Sequence, residues 1–334
     1  MKGVMFMLNV PIDVLTQFPV RKSREQKQCF RDAVCAWARR QGYSVTVENG
    51  SFGARNIVIG DPNQAQYLVT AHYDTPAAMP LPNLITPMNP VTFLLYQLFL
   101  AAALAILPML LSFLLGFVTA FEGILIYPPE QEAELVVLVF LVWYISFLLL
   151  YALAMAMLYF GPANKNNAND NTSGVVTVLE IARTLQENQR HKVCFVLFDL
   201  EEKGLWGSRS YRKIHREATD HQLIINLDCV GDGDHIRMFP TKKLKKDRRR
   251  LTSLYCACGY FGKKSLLVHE KGFGYNPSDH KHFPYGVGIL ALKKSKFGLY
   301  LGRIHTRRDT VLEETNINIL RAALTTYICR DAAQ

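Results

Sequence analysis

Two stretches without a formal charge, 30 residues from Val91 to Ala120 and 26 from Leu135 to Phe160, constrain this chain more than any other feature. A helix rises about 1.5 Å per residue, so roughly 20 apolar residues cross the hydrocarbon core of a bilayer, and each stretch exceeds that. Both read as transmembrane helices. The first contains Gln97, Pro108 and Gly116, and the proline predicts a kink; the second is almost wholly Leu, Val, Phe, Tyr, Ala and Met. The competing reading is a helical hairpin buried in a large soluble core, but neither stretch has the polar face of an ordinary surface helix.

Two spans return the chain to the side from which it set out. Residues 1–90 and 161–334 are therefore expected to form one discontinuous domain, with 91–160 as an all-α transmembrane hairpin whose loop, Phe121 to Glu134, lies on the far side. That loop has no Lys or Arg, whereas Lys165 follows the second span, so the positive-inside tendency predicts an integral membrane protein with a cytoplasmic domain. Met1 to Val10 is apolar after Lys2 but short, and Pro11 and Asp13 follow without a small-residue cleavage site, so it does not read as a signal peptide. Seven cysteines, an odd number without CxxC pairs, argue against a disulfide framework or a structural zinc ribbon and fit a reducing compartment.

An apolar share of 49% excludes disorder and collagen. Residues 91–160 carry no Lys or Arg and only four acids, so the other 264 residues hold a formal charge of +14. Such a balance favours an anionic neighbour. The densest run, Lys242 to Arg250, reads as a solvated helix face or a contact for anionic lipid headgroups. No recognition motif or aromatic interleaving recommends nucleic acid as its partner.

The polar remainder alternates helix and strand. Arg24 to Gln41 has helical spacing and ends at Gly42; Tyr43 to Val47, Asn56 to Ile59 and Tyr67 to Ala71 read as strands. Gly174 to Glu187 is a predicted helix, Val193 to Leu200, Leu223 to Leu227 and Ile236 to Phe239 strands, Lys246 to Tyr260 a helix, Val287 to Leu292 a strand, and Glu314 to Ile328 a terminal helix. This pattern predicts an α/β fold, a mainly parallel mixed sheet flanked by helices. Three of its strands run into acids or imidazole: His72 with Asp74, Glu201 with Glu202, and Asp228. A lone acid at a strand end usually caps a turn, but in parallel sheets the C-terminal strand ends converge on one crevice, and three together suggest a site.

Carboxylates pooled this closely raise one another's pKa and need cations to stay ionised. Imidazole with carboxylate suits zinc or another divalent transition metal, and two ions can share a bridging carboxylate. No HExxH helix supports a mononuclear thermolysin-like site.

The ordered blocks His72-Tyr73-Asp74, Asn169 to Gly174, Asp199 to Ser208, Asn226-Leu227-Asp228, Ser278-Asp279-His280 and His305 to Thr310 resemble the co-catalytic zinc exopeptidases, the family of leucyl aminopeptidases and glutamate carboxypeptidases with glutaminyl cyclases as divergent members. The resemblance implies that His72, Asp170 and Asp228 hold one zinc ion, and Asp170, Glu202 and His305 a second, Asp170 bridging. It implies that Asp74 orients His72, and that Glu201 is the general base acting on a metal-bridging water. Tyr275, Ser278, Asp279 and His280 resemble the substrate-side loop. The blander roles are turn capping for Asp74, helix capping for Asp170, an acidic loop for Glu201 and Glu202, and a surface loop for His305.

The implied activity is a membrane-anchored zinc aminopeptidase acting on peptides. The alternatives are a glutaminyl cyclase-like enzyme with one zinc and a non-catalytic receptor or scaffold; intact ligands and an intact base speak for catalysis. The chain departs from soluble members in the hairpin inserted between the first histidine and the bridging aspartate. Asn169 follows Phe160 by only nine positions, which at about 3.3–3.6 Å each is roughly 30 Å, so the cleft is expected to open toward the membrane surface. Residues 75–90, with five prolines, are expected to act as a semi-rigid spacer.

Overall fold

A computed structural model describes residues 8–330, so the first seven residues of the apolar N-terminal stretch lie outside it. The chain forms two compact units, one of residues up to Pro90 with those from Ala163 on, the other Val91–Pro162.

In the first unit, α1 (Val14–Gln17) and α2 (Arg24–Arg40) precede β1 (Val45–Asn49), β2 (Arg55–Ile59), β3 (Tyr67–His72) and the two-residue β4 (Leu84–Ile85). Ser23 caps α2 by accepting the Gln26 N–H while the Gln26 side chain accepts the Ser23 N–H, and Gly42, at φ +84°, follows its last turn. The second unit is two helices, α3 (Pro90–Ile126) and α4 (Glu132–Phe160). The first unit resumes with α5 (Gly174–Thr184), β5 (Val193–Phe198), α6 (Trp206–Ile214), α7 (Arg216–Thr219), β6 (Leu223–Leu227) and β7 (His235–Pro240). It continues through α8 (Lys242–Lys246), α9 (Arg248–Leu254), β8 (Gly259–Phe261), β9 (Lys264–Val268), β10 (Gly286–Ser295), β11 (Gly298–Gly302) and α10 (Glu314–Arg330).

The strands form one mixed sheet in the order β1-β2-β5-β3-β6-β10-β7-β9-β8, with β11 pairing both β10 and β4. Its centre, β5-β3-β6-β10, is parallel, and most outer pairs are antiparallel. Central strands are buried on both faces, which is why they read as unbroken apolar runs. One face packs Val69, Ala71, Phe195 and Ile225 against Trp37, Val178, Leu179 and Leu320 of α2, α5 and α10; the other packs Leu68, Val196 and Ile224 against Tyr211 and Phe283. Each fully buried side chain of this size contributes about 1.5–3 kcal/mol.

Three local expectations need correction. The strand expected at Tyr43 to Val47 lies two residues later, because Tyr43 joins the core and its hydroxyl donates to the Ala182 carbonyl. The helix expected from Lys246 to Tyr260 is two short helices: Asp247 leaves helical geometry (ψ 90°), and its side chain accepts the Arg250 N–H to start α9. Residues 75–90 are not only a spacer, since β4 pairs with β11 and Ala77 bridges to Ala163.

Helices α3 and α4 are each long and apolar enough to cross a membrane, and 11% and 0% of their most apolar windows are buried. α3 continues through Pro108 as one helix. Within the pair Gly116 lies against Trp143 and Gly123 against Leu135, small residues that let the two backbones approach.

Candidate metal centre

β3 lies between β5 and β6, so the chain segments leaving these three parallel strands meet at one edge. His72 is the last residue of β3, Glu201 and Glu202 lie in the turn after β5, and Asp228 directly follows β6. Leu200 and Cys229, beside these acids, hold positive φ (56° and 54°), a costly conformation that aims successive side chains in different directions.

Asp170 arrives from a wide helical turn, Ala168–Ser173, whose six residues are all buried. A polar web holds that turn. The Asn171 side chain donates to the Leu227 carbonyl (3.0 Å) and accepts from the Gly174 and Cys229 N–H groups, while Ser173 accepts from Val230 and Asn169 from Gly231. Gly174 is required here, since a Cβ would stand 2.3 Å from the Leu227 oxygen. Asp170 thus does not cap α5. Its Oδ1 lies 3.3 Å from His72 Nε2 and its Oδ2 2.9 Å from His305 Nε2.

Around these contacts His72, Asp170 and Asp228 form one group that could hold a metal ion, and Asp170, Glu202 and His305 another, each with ligand atoms within 4.8 Å of one another. His72 Nε2 is 3.6 Å from Asp228 Oδ1, and His305 Nε2 is 3.4 Å from Glu202 Oε2. His72 with Glu201 and Glu202 forms a third such group. The five residues expected as ligands are therefore brought together, with Glu201 among them.

Burial and charge in this small volume move several pKa values. Burial disfavours a protonated His305, yet Glu202 and Asp170 outweigh it and raise the imidazole to about 9. His72 is likewise raised, against its burial, by Glu201 and its aspartate neighbours. Burial lifts Glu202 to about 8, with Asp170 adding to the rise and His305 opposing it. Glu201 rises well above the usual carboxylate range through burial and the repulsion of Glu202, Asp279 and Asp228, although His72 opposes the rise. Asp170 is held below its usual value because both imidazoles overcome its burial. Such a cluster holds protons where cations fit. His72 Nδ1 and Glu202 Oε1 are buried without a hydrogen-bond partner, and the nitrogen–oxygen donor set is one that zinc accepts.

Asp74 stands 3.5 Å from His72 Nδ1, on the expected side of the ring, and it also does what the sequence did not suggest. Its two oxygens accept the N–H groups of Glu201 (3.0 Å) and Glu202 (3.3 Å), fixing that loop to the end of β3. Ser278, Asp279 and His280 are buried: Ser278 accepts the Asn226 amide (2.9 Å), and His280 packs against Gly288 of β10. Burial raises Asp279 to about 7, and its charge is felt at Glu201. Tyr275 is exposed, and its N–H donates to the Pro87 carbonyl. Lys242 to Arg250 lies along α8 and α9, where Lys243 and Arg250 sit over the Tyr285 ring and Arg248 pairs with Glu270.

Sequence reasoning missed two residues. The Asp309 carboxylate accepts the Asn169 and Asp170 N–H groups (2.8 and 3.0 Å), and its place in the last motif block was the only signal. Arg21 is fully buried and donates to the Tyr73 and Phe18 carbonyls, Asn167 and Thr172; a single loop arginine announces nothing.

The parallel strand ends and their pooled imidazoles and carboxylates define an α/β protein with a carboxylate–histidine centre of the hydrolytic type. The peptidase family M28 model matches residues 156–326, just over half of the chain, and the chain belongs to that family. The match includes Asp170, Glu201, Glu202, Asp228 and His305 and begins after His72. Among solved structures, the LapA aminopeptidase of Legionella pneumophila is similar at 13% identity and a TM-score of 0.55, covering 97% of this chain and 71% of that one. The glutaminyl cyclase of Tannerella forsythia is similar at 16% identity and a TM-score of 0.54, covering 97% and 98%. These likenesses establish the fold. Among curated proteins, none matches the chain.

Proposed function

We propose that this chain is a di-zinc aminopeptidase of the M28 family, anchored in a membrane by α3 and α4 with its peptidase unit on the cytoplasmic side. The observation that carries the dinuclear reading is the placement of Asp170, whose two oxygens face different imidazoles at 3.3 and 2.9 Å. His72, Asp170 and Asp228 would hold one zinc ion, and Asp170, Glu202 and His305 the other. Bound zinc supplies the positive charge that the pooled carboxylates lack and polarises water and the scissile carbonyl.

The chain's own residues do the rest. Glu201 would take the proton of the attacking water and then give it to the leaving amine. Asp74 keeps the Glu201 backbone in place through the 3.0 Å bond and sets the His72 ring. Removal of residues from the peptide N-terminus is the polarity that LapA's name suggests. The two helices support membrane anchoring by their length and exposed apolar surface.

Metal analysis of the detergent-purified chain beside Asp170→Asn tests the proposal. Two zinc ions per chain, falling sharply in the variant, support it. One ion indifferent to the substitution shifts the reading to a glutaminyl cyclase-like enzyme, and none leaves a scaffold.

A further inference from the structure

A second concave site adjoins the carboxylate–histidine cluster without sharing a lining residue with it. The N-terminal turn of α2, the β1–β2 turn at Asn49–Arg55 and the start of the loop that carries Glu201 enclose a cavity of about 310 Å³. Six cationic side chains line it: Lys22, Arg24, Lys27, Arg31, Arg55 and Lys203. Asp199 is the one carboxylate in the lining, and it is already committed. Its Oδ1 accepts from Lys27 (2.7 Å) and the Leu200 N–H, and its Oδ2 accepts the Arg55 N–H. Arg31 donates to the Tyr73 hydroxyl and to Gln28, and the Arg55 guanidinium also reaches Gln28; these neutral partners orient the cations without cancelling their charge.

This arrangement differs from the basic run at Lys242 to Arg250, which is denser in sequence but spread along two helices. Here cations from three separated segments converge on one hollow. Its volume is at the lower end of the ~300–1,000 Å³ typical of small-molecule sites, and three of the cations are arginines, whose planar forks match phosphate oxygens in pairs. A compact group with two or more negative charges fits these walls better than a single carboxylate does. At the rim Phe52, 75% exposed, lies 4.0 Å from the Trp206 ring, an apolar platform beside the charge.

We propose that this cavity is a binding site for a phosphate monoester or diphosphate group, borne either by a soluble ligand or by a phospholipid headgroup. Its wall includes Leu200 and Lys203, which flank Glu201 and Glu202, so the ligand contacts the loop of the proposed base. The proposal does not depend on peptidase activity.

Calorimetric titration of inorganic phosphate and pyrophosphate into the full chain in detergent tests it. Wild type is compared with Arg24→Gln/Arg55→Gln, which leaves the Lys27–Asp199 and Arg31–Tyr73 contacts intact, and with Lys245→Gln/Arg249→Gln on the other basic run. The expected result is saturable binding, tighter for pyrophosphate, that weakens about tenfold or more in the first variant and is unchanged in the second. Circular dichroism establishes that both variants are folded. Absence of saturable binding overturns the proposal. So does binding that survives Arg24→Gln/Arg55→Gln, since the anion then sits elsewhere, for instance at the metal centre. Repeating the titration in phosphatidylcholine nanodiscs with and without phosphatidic acid separates the sources: competition by the acidic lipid identifies a headgroup ligand, and unchanged phosphate binding a soluble one.

Discussion

The carboxylate of Asp309 accepts the backbone N–H of Asp170 at 3.0 Å, so an acid from the loop after β11 holds the residue whose own oxygens face two imidazoles. A second bond, to the Asn169 N–H at 2.8 Å, makes the grip two-point. Hydrogen bonds to a charged group are worth about 1.5–3 kcal/mol. Asp309→Ala is therefore expected to weaken zinc binding by roughly 10- to 100-fold while leaving all five proposed ligands in place. Competition with a fluorescent chelator measures this, and unchanged affinity would remove Asp309 from the metal centre's support.

Glu201 and Asp170 should separate base from ligand. Glu201→Gln is expected to retain the metal content of the wild type and to lose about 10²- to 10⁴-fold in peptide turnover, the usual contribution of general acid–base catalysis. Asp170→Asn is expected to lose metal and activity together. Parallel zinc analysis and kinetics decide. A Glu201→Gln chain that loses metal would make Glu201 a ligand, as its grouping with His72 and Glu202 permits.

Buried Arg21 joins the end of β3 to the turn that carries Asp170 through Tyr73, Asn167 and Thr172. Burial lowers its pKa to about 10, opposed by Asp74 and Asp170, so it remains cationic at neutral pH. Arg21→Met strands these neutral acceptors without their donor and should cost at least about 1–3 kcal/mol. Arg21→Lys, which restores the charge and part of the bonding, should cost less. Chemical denaturation of the two variants provides the comparison, and equal losses would show that packing, not bonding, is what Arg21 supplies.

Removing metal should make stability depend on pH with a definite sign. In the metal-free chain Glu202 has a pKa near 8 against 4.5 for the free side chain, and His305 near 9 against 6.5. Both are raised, so the folded state binds more protons than the unfolded state, and stability falls as pH rises. The Glu202 part is present below about 4.5 and lost by about 8; the His305 part is present below about 6.5 and lost by about 9. Thermal midpoints in chelator should therefore decline from pH 5 to pH 9, and zinc loading at pH 7 should release protons. A midpoint that climbs over that range would contradict this account of the cluster.

Much was legible because it is local. Leu223–Leu227 reads as a strand because every residue is buried, and the two apolar helices announce themselves by length alone. The site acids were legible as a group because each ends a central strand, and motif order supplied Asp170 and His305. Strands β8, β9 and β11 were not legible: β8 and β11 are mostly exposed or half-buried, and β9 opens on the polar Lys264 and Ser265, so none shows the unbroken apolar run of a central strand. Nor was α6, whose start follows Leu205 at φ +61° in place of a capping side chain.

What the sequence by itself determined is the apolar hairpin, the parallel α/β core and the kinds of side chain gathered at its edge, since all three follow from burial patterns and spacing along the chain. Tertiary structure alone decided that Asp170 faces two imidazoles, that Asp74 and Asp309 hold backbone N–H groups of other loops, and that six cations from three segments surround one cavity. A hydrogen bond or a shared charge depends on distances of a few ångströms between residues far apart in the chain, 172 positions for Lys27 with Asp199, and no periodicity encodes that separation.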